Sequence, residues 1–385
     1  MKKESIKQLG FRLILMTPMF CLLVMLSDLA CGVYTLRNVD FKKLKTAYRS
    51  QILRPRIRPL MMPRSLDSLS KNDCPIYTFG ASSLIVTDGK NFSQYLEQKL
   101  RKPFPCTKVI NFGFSGIRSV NVLQRTTLAL QQKVSKPRLL VYYFGHNDYN
   151  SPYTSVVGPA FQSFPLTMRL MYSLSRQTFR FQKQKDVLKN SVDSMFDWYK
   201  VYNRGALVKG TQMLGLLRFS PEQEAFFREL DRTILFVYRT NVHGIIRQGR
   251  ALGIPILFVT PVGNLYAEPF GPLAKTFRMF KKGKAEKDYI QAIRLLTKAR
   301  DNERFTGDVR AKTPLYQFLR ELKVPGVYTL DLKTKLMSQQ FSFSEKHFLD
   351  YFHFNDKGHQ IVAEHIAQTI LSSPIKQRLS RIPSP

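Results

Sequence analysis

The stretch PIYTFGASS, residues 75–83, joins a short apolar run to small residues and two serines. An apolar run of this length is typical of a strand that is buried on both faces. The same pattern recurs in KVINFGFSG, residues 108–116, and in RLLVYYFGHND, residues 138–148. Amphipathic segments at 92–100 and 120–134 follow the first two runs and predict helices. Strand, turn and helix in alternation predict a parallel sheet with helices on its faces.

The second half of the chain continues this pattern. A long helix is predicted over 221–252, a strand over 254–260, a further strand over 327–331 and a terminal helix near 357–371. The stretch 275–322 is basic and mostly helical in pattern. We therefore predict an α/β fold, a three-layer doubly wound parallel sheet with helical insertions.

The domain organisation follows from the segments outside these elements. Residues 1–36 are predicted to form a membrane segment and residues 37–72 a basic linker. The α/β domain then spans residues 73–373, and residues 374–385 form a tail. Within the domain, residues 151–220 are rich in aromatic side chains, and we expect a helical cap inserted over the sheet.

The membrane segment rests on an apolar run over residues 13–36, which Pro18 and Asp28 interrupt. Its length is close to the roughly 20 residues that a transmembrane helix needs. It is either an uncleaved signal anchor, which we favour, or a cleavable signal peptide. More basic residues follow the run than precede it, which by the positive-inside rule keeps the domain in the cytoplasm. Long domains translocate largely regardless of charge, however, so we expect a transmembrane helix and a periplasmic domain.

The composition is that of a globular protein with an unusual charge. Of the 385 residues, 44% are hydrophobic, so the chain can bury a large core. Lysine and arginine number 60 against 27 acidic residues, which gives a formal net charge of +33. Such an excess attracts nucleic acid, anionic lipid or an acidic polymer. Since no nucleic-acid-binding fold is visible and the N-terminus is apolar, we expect an anionic envelope surface rather than nucleic acid as the partner.

The four cysteines form no CxxC pair and no cluster with histidine, so a zinc site is not predicted. Cys74 and Cys106 lie in the α/β domain. They form a disulfide if the domain is outside the cytoplasm, and two free thiols are the equal alternative.

Residues that could carry chemistry lie where the predicted strands end, because ligands bind beyond the carboxyl ends of the strands in an open α/β sheet. Ser82 follows the first strand, and Gly80 and Ala81 allow a sharp turn that leaves its hydroxyl exposed. A serine hydroxyl becomes an effective nucleophile only with a base in hydrogen-bond reach. Taken alone, a serine at such a junction is more often a helix N-cap.

Two further loops offer donors for a negatively charged oxygen. Gly116 can bring its backbone N–H close to such an oxygen, since it has no side chain to obstruct the approach. Asn147 can add its side-chain amide, and with the N–H of Ser82 these donors would form an oxyanion hole. Considered singly, each residue is commoner in a turn.

The base must come from the C-terminal segment. Asp350 and His353 are three residues apart, so the carboxylate can hold one imidazole nitrogen while the other faces the serine. His347 is the alternative base. His359 and His365 fall on the predicted terminal helix, where we expect solvent exposure or packing.

Four blocks together resemble the SGNH/GDSL hydrolase superfamily. They are GASS at 80–83, NFGFSG at 111–116, GHND at 145–148 and DYFH at 350–353. Their order and their positions after strands carry the resemblance, although Ala81 stands where the family name has aspartate. The resemblance implies a flavodoxin-like sheet and, with the N-terminal run, a membrane-anchored bacterial member.

The resemblance also implies roles for the residues. Ser82 would be the nucleophile, His353 the base and Asp350 the group that orients it, with Gly116 and Asn147 completing the oxyanion hole. The implied activity is hydrolysis of acyl esters, O-acetyl or short-chain, through an acyl-enzyme and without metal or organic cofactor. The implied substrate is an acylated cell-envelope polysaccharide, and a lipid ester is the second choice.

Three features of the chain allow more than one interpretation. The stretch 260–270, TPVGNLYAEPF, resembles a loop of large membrane-tethered members in which Asn264 would contact substrate, and a turn beside glycine is the alternative. An O-acyltransferase would use the same catalytic residues. A non-catalytic binding or assembly protein for an anionic polymer would instead depend on the basic run 275–287.

Overall fold

The computed structural model describes residues 63–70, 72–132, 136–149, 152, 221–267, 274–302 and 310–380. The predicted membrane segment, most of the linker and nearly all of the predicted cap lie outside these residues. Within them, no helix combines the length and the apolar character that crossing a membrane requires.

Five parallel strands form a single sheet. They are β1 (Cys74–Gly80), β2 (Thr107–Asn111), β3 (Leu139–Tyr143), β4 (Ile256–Val259) and β5 (Val327–Leu330), in the order β2-β1-β3-β4-β5. The chain starts in the middle of the sheet, moves to one edge, and then returns past β1 to the other side. This order confirms the predicted doubly wound fold, and it reverses direction between β1 and β3, where such sheets bind ligands.

Residues 146–149 after β3 are helical, and nine further helices are described. They are α1 (Phe92–Arg101), α2 (Ser119–Gln131), α3 (Pro221–Ala251), α4 (Ala274–Ala285), α5 (Tyr289–Asp301), α6 (Thr313–Glu321), α7 (Leu332–Met337), α8 (Asp356–Ser372) and α9 (Pro374–Ser380).

Alternate residues of the strands enter two separate cores, one on each face of the sheet. Tyr77 and Tyr142 belong to the first core, where α2, α3 and α6 pack. Ile76 and Val141 belong to the second, where α1 and α8 pack. Because the inner strands β3 and β4 are buried on both faces, they are apolar along their length, which explains why their runs were visible in the sequence.

The domain extends further than the sequence analysis placed it. Leu66, assigned to the linker, is buried in the first core. Residues 374–380 of the predicted tail form α9, and Ile375 is buried in the second core. In both places apolar side chains anchor the segment to the domain, with Leu69 packed beside Leu66 and Leu379 beside Ile375 on the respective cores.

A disulfide connects the first residue of β1 to the turn before β2. Cys74 and Cys106 are bonded with their Cα atoms 5.1 Å apart, and the backbone N–H of Cys74 donates to the carbonyl oxygen of Cys106 at 2.8 Å. The structure thus forms the disulfide rather than two free thiols. It lies at the edge of the sheet where the strands begin.

Candidate active site

Ser82 follows β1 and begins a short 3-10 helix, Ser82–Leu84. The backbone N–H groups of Ile85 and Val86 both donate to its carbonyl oxygen, at 2.9 and 2.8 Å. Ala81 occupies the N-cap position, so the hydroxyl of Ser82 is not used as a cap. Ser82 is only 6% exposed, less than the sequence analysis expected, because the side chain of His353 lies against it.

Three side chains are hydrogen-bonded in series at this point. The Oγ of Ser82 lies 2.8 Å from Nε2 of His353, and Nδ1 of His353 lies 2.5 Å from Oδ2 of Asp350. A carboxylate can only accept, so Nδ1 carries the proton and Nε2 is free to accept the proton of the hydroxyl. The arrangement can therefore deprotonate Ser82 when it attacks an electrophilic carbon.

Asp350 is held by its own loop. Its Oδ1 accepts the backbone N–H groups of Phe352 and His353, each at 2.9 Å, which leaves Oδ2 for the imidazole. Burial by itself raises the pKa of Asp350, but the hydrogen bonds from the His353 side chain and from the two backbone groups outweigh it and lower the pKa overall. The carboxylate is thus charged at neutral pH and can stabilise an imidazolium.

The glycine block is bonded to the segment that carries Ser82. The backbone N–H of Phe114 donates to the carbonyl oxygen of Gly80 at 3.1 Å, and the side chain of Asn111 donates to Leu84 at 3.0 Å. Gly116 has a φ of 71°, a left-handed conformation that favours glycine. This turn brings the exposed backbone of Gly116 to the same edge of the sheet as Ser82.

Asn147 lies in the helical residues 146–149 that follow β3 and is 6% exposed. One N–H of its side-chain amide donates to the carbonyl oxygen of Ile117, the residue after Gly116, at 3.1 Å. The amide has a second N–H, which can donate to a developing oxyanion. The structure thus brings the glycine and asparagine blocks together.

The neighbouring Asp148, to which the sequence analysis gave no role, connects this helical segment to α2. Its carboxylate accepts the backbone N–H and the hydroxyl of Ser119 at the start of α2. Ser119 also receives the side-chain amide of Asn241 from α3, at 2.9 Å. Burial raises the pKa of Asp148 to about 6, although these hydrogen bonds oppose the rise. No sequence signal pointed to this network, because its members lie far apart in the chain.

His146 packs against the terminal block, DYFH at 350–353. Its Nε2 faces the carbonyl oxygen of Val262 at 3.0 Å, its Nδ1 accepts the N–H of Ala311 at 3.2 Å, and its ring stacks on Phe352 with 5.1 Å between ring centres. Complete burial lowers its pKa to about 3. His146 is therefore neutral, with its proton on Nε2, and packs against the residue next to His353.

The remaining histidines are engaged elsewhere. His347, the alternative base, places Nδ1 2.8 Å from the carbonyl oxygen of Ser342 and stacks on Phe341. His359 and His365 lie on α8 and are buried, so packing rather than solvent exposure is the outcome.

Asn264 is buried in the loop after β4, and its side-chain oxygen accepts the N–H groups of Tyr266 and Ala267 at 3.1 and 3.0 Å. Its backbone N–H donates to Tyr351 in the terminal block, at 2.9 Å. These bonds are those of the turn that the sequence analysis gave as the alternative. A contact between Asn264 and substrate stays a prediction.

A doubly wound sheet with serine, histidine and aspartate bonded in series at its carboxyl edge defines a serine hydrolase of the α/β class. Residues 67–366 match the family model of the GDSL-like lipase/acylhydrolases. Since this match spans most of the chain, the protein belongs to that family, and it is a serine hydrolase that acts on esters.

The solved structures that match the chain are distant in sequence. They include a lipase/acylhydrolase from Enterococcus faecalis, with 12% identity over 77% of this chain and 95% of that one and a TM-score of 0.35. The acetyl xylan esterase AlAXEase has 12% identity over 77% and 99%, with a TM-score of 0.31. AlinE4, an esterase of the SGNH-hydrolase family, has 18% identity over 50% and 60%, with a TM-score of 0.25. No curated protein matches the chain significantly.

Proposed function

We propose that the protein cleaves short acyl esters through an acyl-enzyme on Ser82. The observation that carries the proposal is the series of hydrogen bonds from Ser82 through His353 to Asp350, at 2.8 and 2.5 Å. Ser82 Oγ attacks the carbonyl carbon of the ester while Nε2 of His353 takes the hydroxyl proton. Asp350 holds the imidazole in the tautomer that this step needs and stabilises the imidazolium.

The tetrahedral intermediate carries its negative charge on the former carbonyl oxygen. We assign three donors to that oxygen: the backbone N–H of Ser82, the backbone N–H of Gly116 and the second side-chain N–H of Asn147. Collapse of the intermediate releases the alcohol, which takes its proton from His353. Water then attacks the acyl-enzyme with His353 again as base, and the acid leaves.

The substrate we propose is an O-acetyl or other short-chain acyl group on a cell-envelope polysaccharide, with a lipid ester second. Two features support an envelope substrate. The apolar run over 13–36 would tether the domain to a membrane, and the disulfide between Cys74 and Cys106 is of a kind that persists in oxidising compartments. We therefore also propose a signal anchor with the domain in the periplasm.

The net charge of +33 supports an anionic envelope surface as partner. Arg278, Lys281, Lys282 and Lys284 on α4 are exposed and would face such a surface. The non-catalytic alternative is set aside, because the chain belongs to a family of acylhydrolases and brings a serine, a base and an acid together.

The first test compares Ser82→Ala with Ser83→Ala, using the full chain in detergent and an acetyl ester of nitrophenol. Ser83 is the adjacent serine and is also buried, at 3% exposed, so it serves as a matched control. We expect Ser82→Ala to lower kcat by at least about 100-fold and Ser83→Ala to retain it within a fewfold. Equal activity of Ser82→Ala and the parent chain would refute the nucleophile.

Hydrolysis, rather than transfer, is tested by product analysis. An acetylated glycan and an unacetylated acceptor glycan are supplied together, and the products are identified by mass spectrometry. We expect free acetate and no new acylated glycan. Accumulation of acylated acceptor would instead identify an O-acyltransferase on the same residues.

Placement of the domain is tested by a reporter fused after Pro385 that is active only outside the cytoplasm. We expect an active reporter. An inactive reporter on an intact fusion protein would place the domain in the cytoplasm.

A further inference from the structure

The segment that follows the nucleophile is connected to the helix that follows the base. We call residues 85–91, between the 3-10 helix of Ser82 and α1, the nucleophile loop. Helix α8 begins at Asp356, three residues after His353. Hydrogen bonds in both directions cross between this loop and the first turn of α8, although more than 250 residues separate the two segments.

Asp356 is the centre of these contacts. Its Oδ1 accepts the backbone N–H of Lys90 at 2.7 Å, and both of its carboxylate oxygens lie 2.8 Å from the hydroxyl of Tyr95 on α1. Gly89 allows the close approach, because a Cβ atom at that position would collide with the Asp356 carboxylate. The carboxylate thus holds the end of the nucleophile loop and the start of α1 at once.

The nucleophile loop also accepts hydrogen bonds from donors in α8. Oδ1 of Asp88 accepts the backbone N–H of Asp356 at 2.6 Å. Nε2 of His359 donates to the carbonyl oxygen of Val86 at 3.2 Å, and burial lowers the pKa of His359, so the imidazole is neutral. The nucleophile loop is therefore bonded to α8 near both of its ends.

These contacts bear on the distance between the reacting groups. Val86 donates its N–H to the carbonyl oxygen of Ser82, so the loop is continuous with the turn that presents the nucleophile. On the other side, only two residues separate His353 from Asp356. A displacement of the loop relative to α8 would change the 2.8 Å contact between Ser82 Oγ and His353 Nε2, and a misplacement of ~1 Å costs on the order of 100-fold in rate.

We propose that Asp356 is a positioning residue for catalysis, which holds the nucleophile and the base in register by joining the nucleophile loop to α8. The proposal rests on the proposed roles of Ser82 and His353. Since the carboxylate oxygens of Asp356 accept from Lys90 and Tyr95, we expect its removal to affect the chemical step and to leave ester binding unchanged.

The test measures kcat and KM of the full chain in detergent for three variants. Asp356→Ala removes both acceptor oxygens, and we expect kcat to fall by about 10- to 100-fold with KM within twofold. Asp356→Asn keeps an oxygen that can accept from Lys90 and Tyr95 but loses the charge at the start of α8. We expect kcat within about threefold of the parent, which separates a positional role from an electrostatic one.

The matched control is Glu364→Ala. Glu364 pairs with Lys99, so this change also removes a contact between α1 and α8, but two turns further from the site. We expect unchanged kcat and KM. Should Asp356→Ala fail to fold, Tyr95→Phe removes one hydroxyl from the same carboxylate, and we expect kcat to fall at least about threefold with KM unchanged.

The outcomes separate this proposal from the proposed function. If Ser82→Ala is inactive but Asp356→Ala folds and keeps the parent kcat, the positioning role is wrong and the nucleophile stands. A rise in KM with unchanged kcat would also overturn it, since that result indicates a binding role. If Ser82→Ala keeps its activity, the proposed function fails first.

Discussion

Each oxygen of Asp350 has a separate partner. Oδ1 accepts two backbone N–H groups of its own loop, and Oδ2 accepts the imidazole of His353. The pair is therefore built by a local turn of four residues, which explains why its spacing could be recognised in the sequence. The contact from His353 to Ser82 spans 271 positions, and the residues alone left His347 as an alternative base until the family resemblance favoured His353.

Asn147 gives the first residue-scale prediction. Asn147→Ala removes a proposed oxyanion donor, and we expect kcat to fall about 100- to 1000-fold with little change in KM. Asn121→Ala is the matched control, because both asparagines are 6% exposed and Asn121 is hydrogen-bonded to Arg118 and Gln124 at the start of α2. Steady-state kinetics on a nitrophenyl ester measures both. A kcat of Asn147→Ala equal to that of the parent chain would show that Asn147 is not a donor of the oxyanion hole.

At the scale of the elements, the sheet was predictable and the connections around the site were not. Strands buried on both faces leave continuous apolar runs, so β1 to β5 were found with small errors at their ends. The bonds of Asp148 with Ser119, and of Asp356 with Lys90, depend on how distant loops meet. A single acidic residue near the start of a helix has no sequence pattern that identifies a distant partner.

The disulfide gives a prediction about the strands. The double variant Cys74→Ser with Cys106→Ser loses the cross-link between the starts of β1 and β2, and we expect the free energy of unfolding to fall by about 2–4 kcal/mol. Because parallel strands begin at the edge opposite the site, kcat should be unchanged at temperatures where the variant is folded. Denaturant titration with and without reductant measures the loss, and the reduced parent chain should match the variant. Equal stability of the oxidised parent chain and the double variant would contradict a stabilising role of the disulfide.

At the scale of the whole molecule, the large net positive charge contrasts with titratable side chains that are buried in the domain. The chain carries +33, yet the block that follows β3 holds two buried titratable residues, His146 and Asp148, at 3% and 5% exposed. His146 is the clearest case. Burial, with smaller contributions from Arg300, His353 and Arg310, lowers its pKa to about 3.

This shift predicts a loss of stability in acid. Between about pH 6.5 and pH 3 the unfolded chain binds a proton at His146 and the folded chain does not, so stability present above pH 6.5 is lost as the pH falls. At pH 5 this loss amounts to about 2 kcal/mol relative to pH 8. His146→Gln keeps a donor for Val262 but does not titrate. The difference in unfolding free energy between parent and variant should shrink by that amount, and parallel curves would contradict the assignment.

The central claim is that Ser82 is the nucleophile that His353 activates. The most direct measurement treats the full chain with a fluorophosphonate, which reacts with activated serines, and locates the adduct by peptide mass spectrometry. We predict one adduct, on Ser82, that is lost or strongly slowed in His353→Ala. An adduct on Ser83 or another serine, or none in an enzyme that turns over esters, would contradict the account.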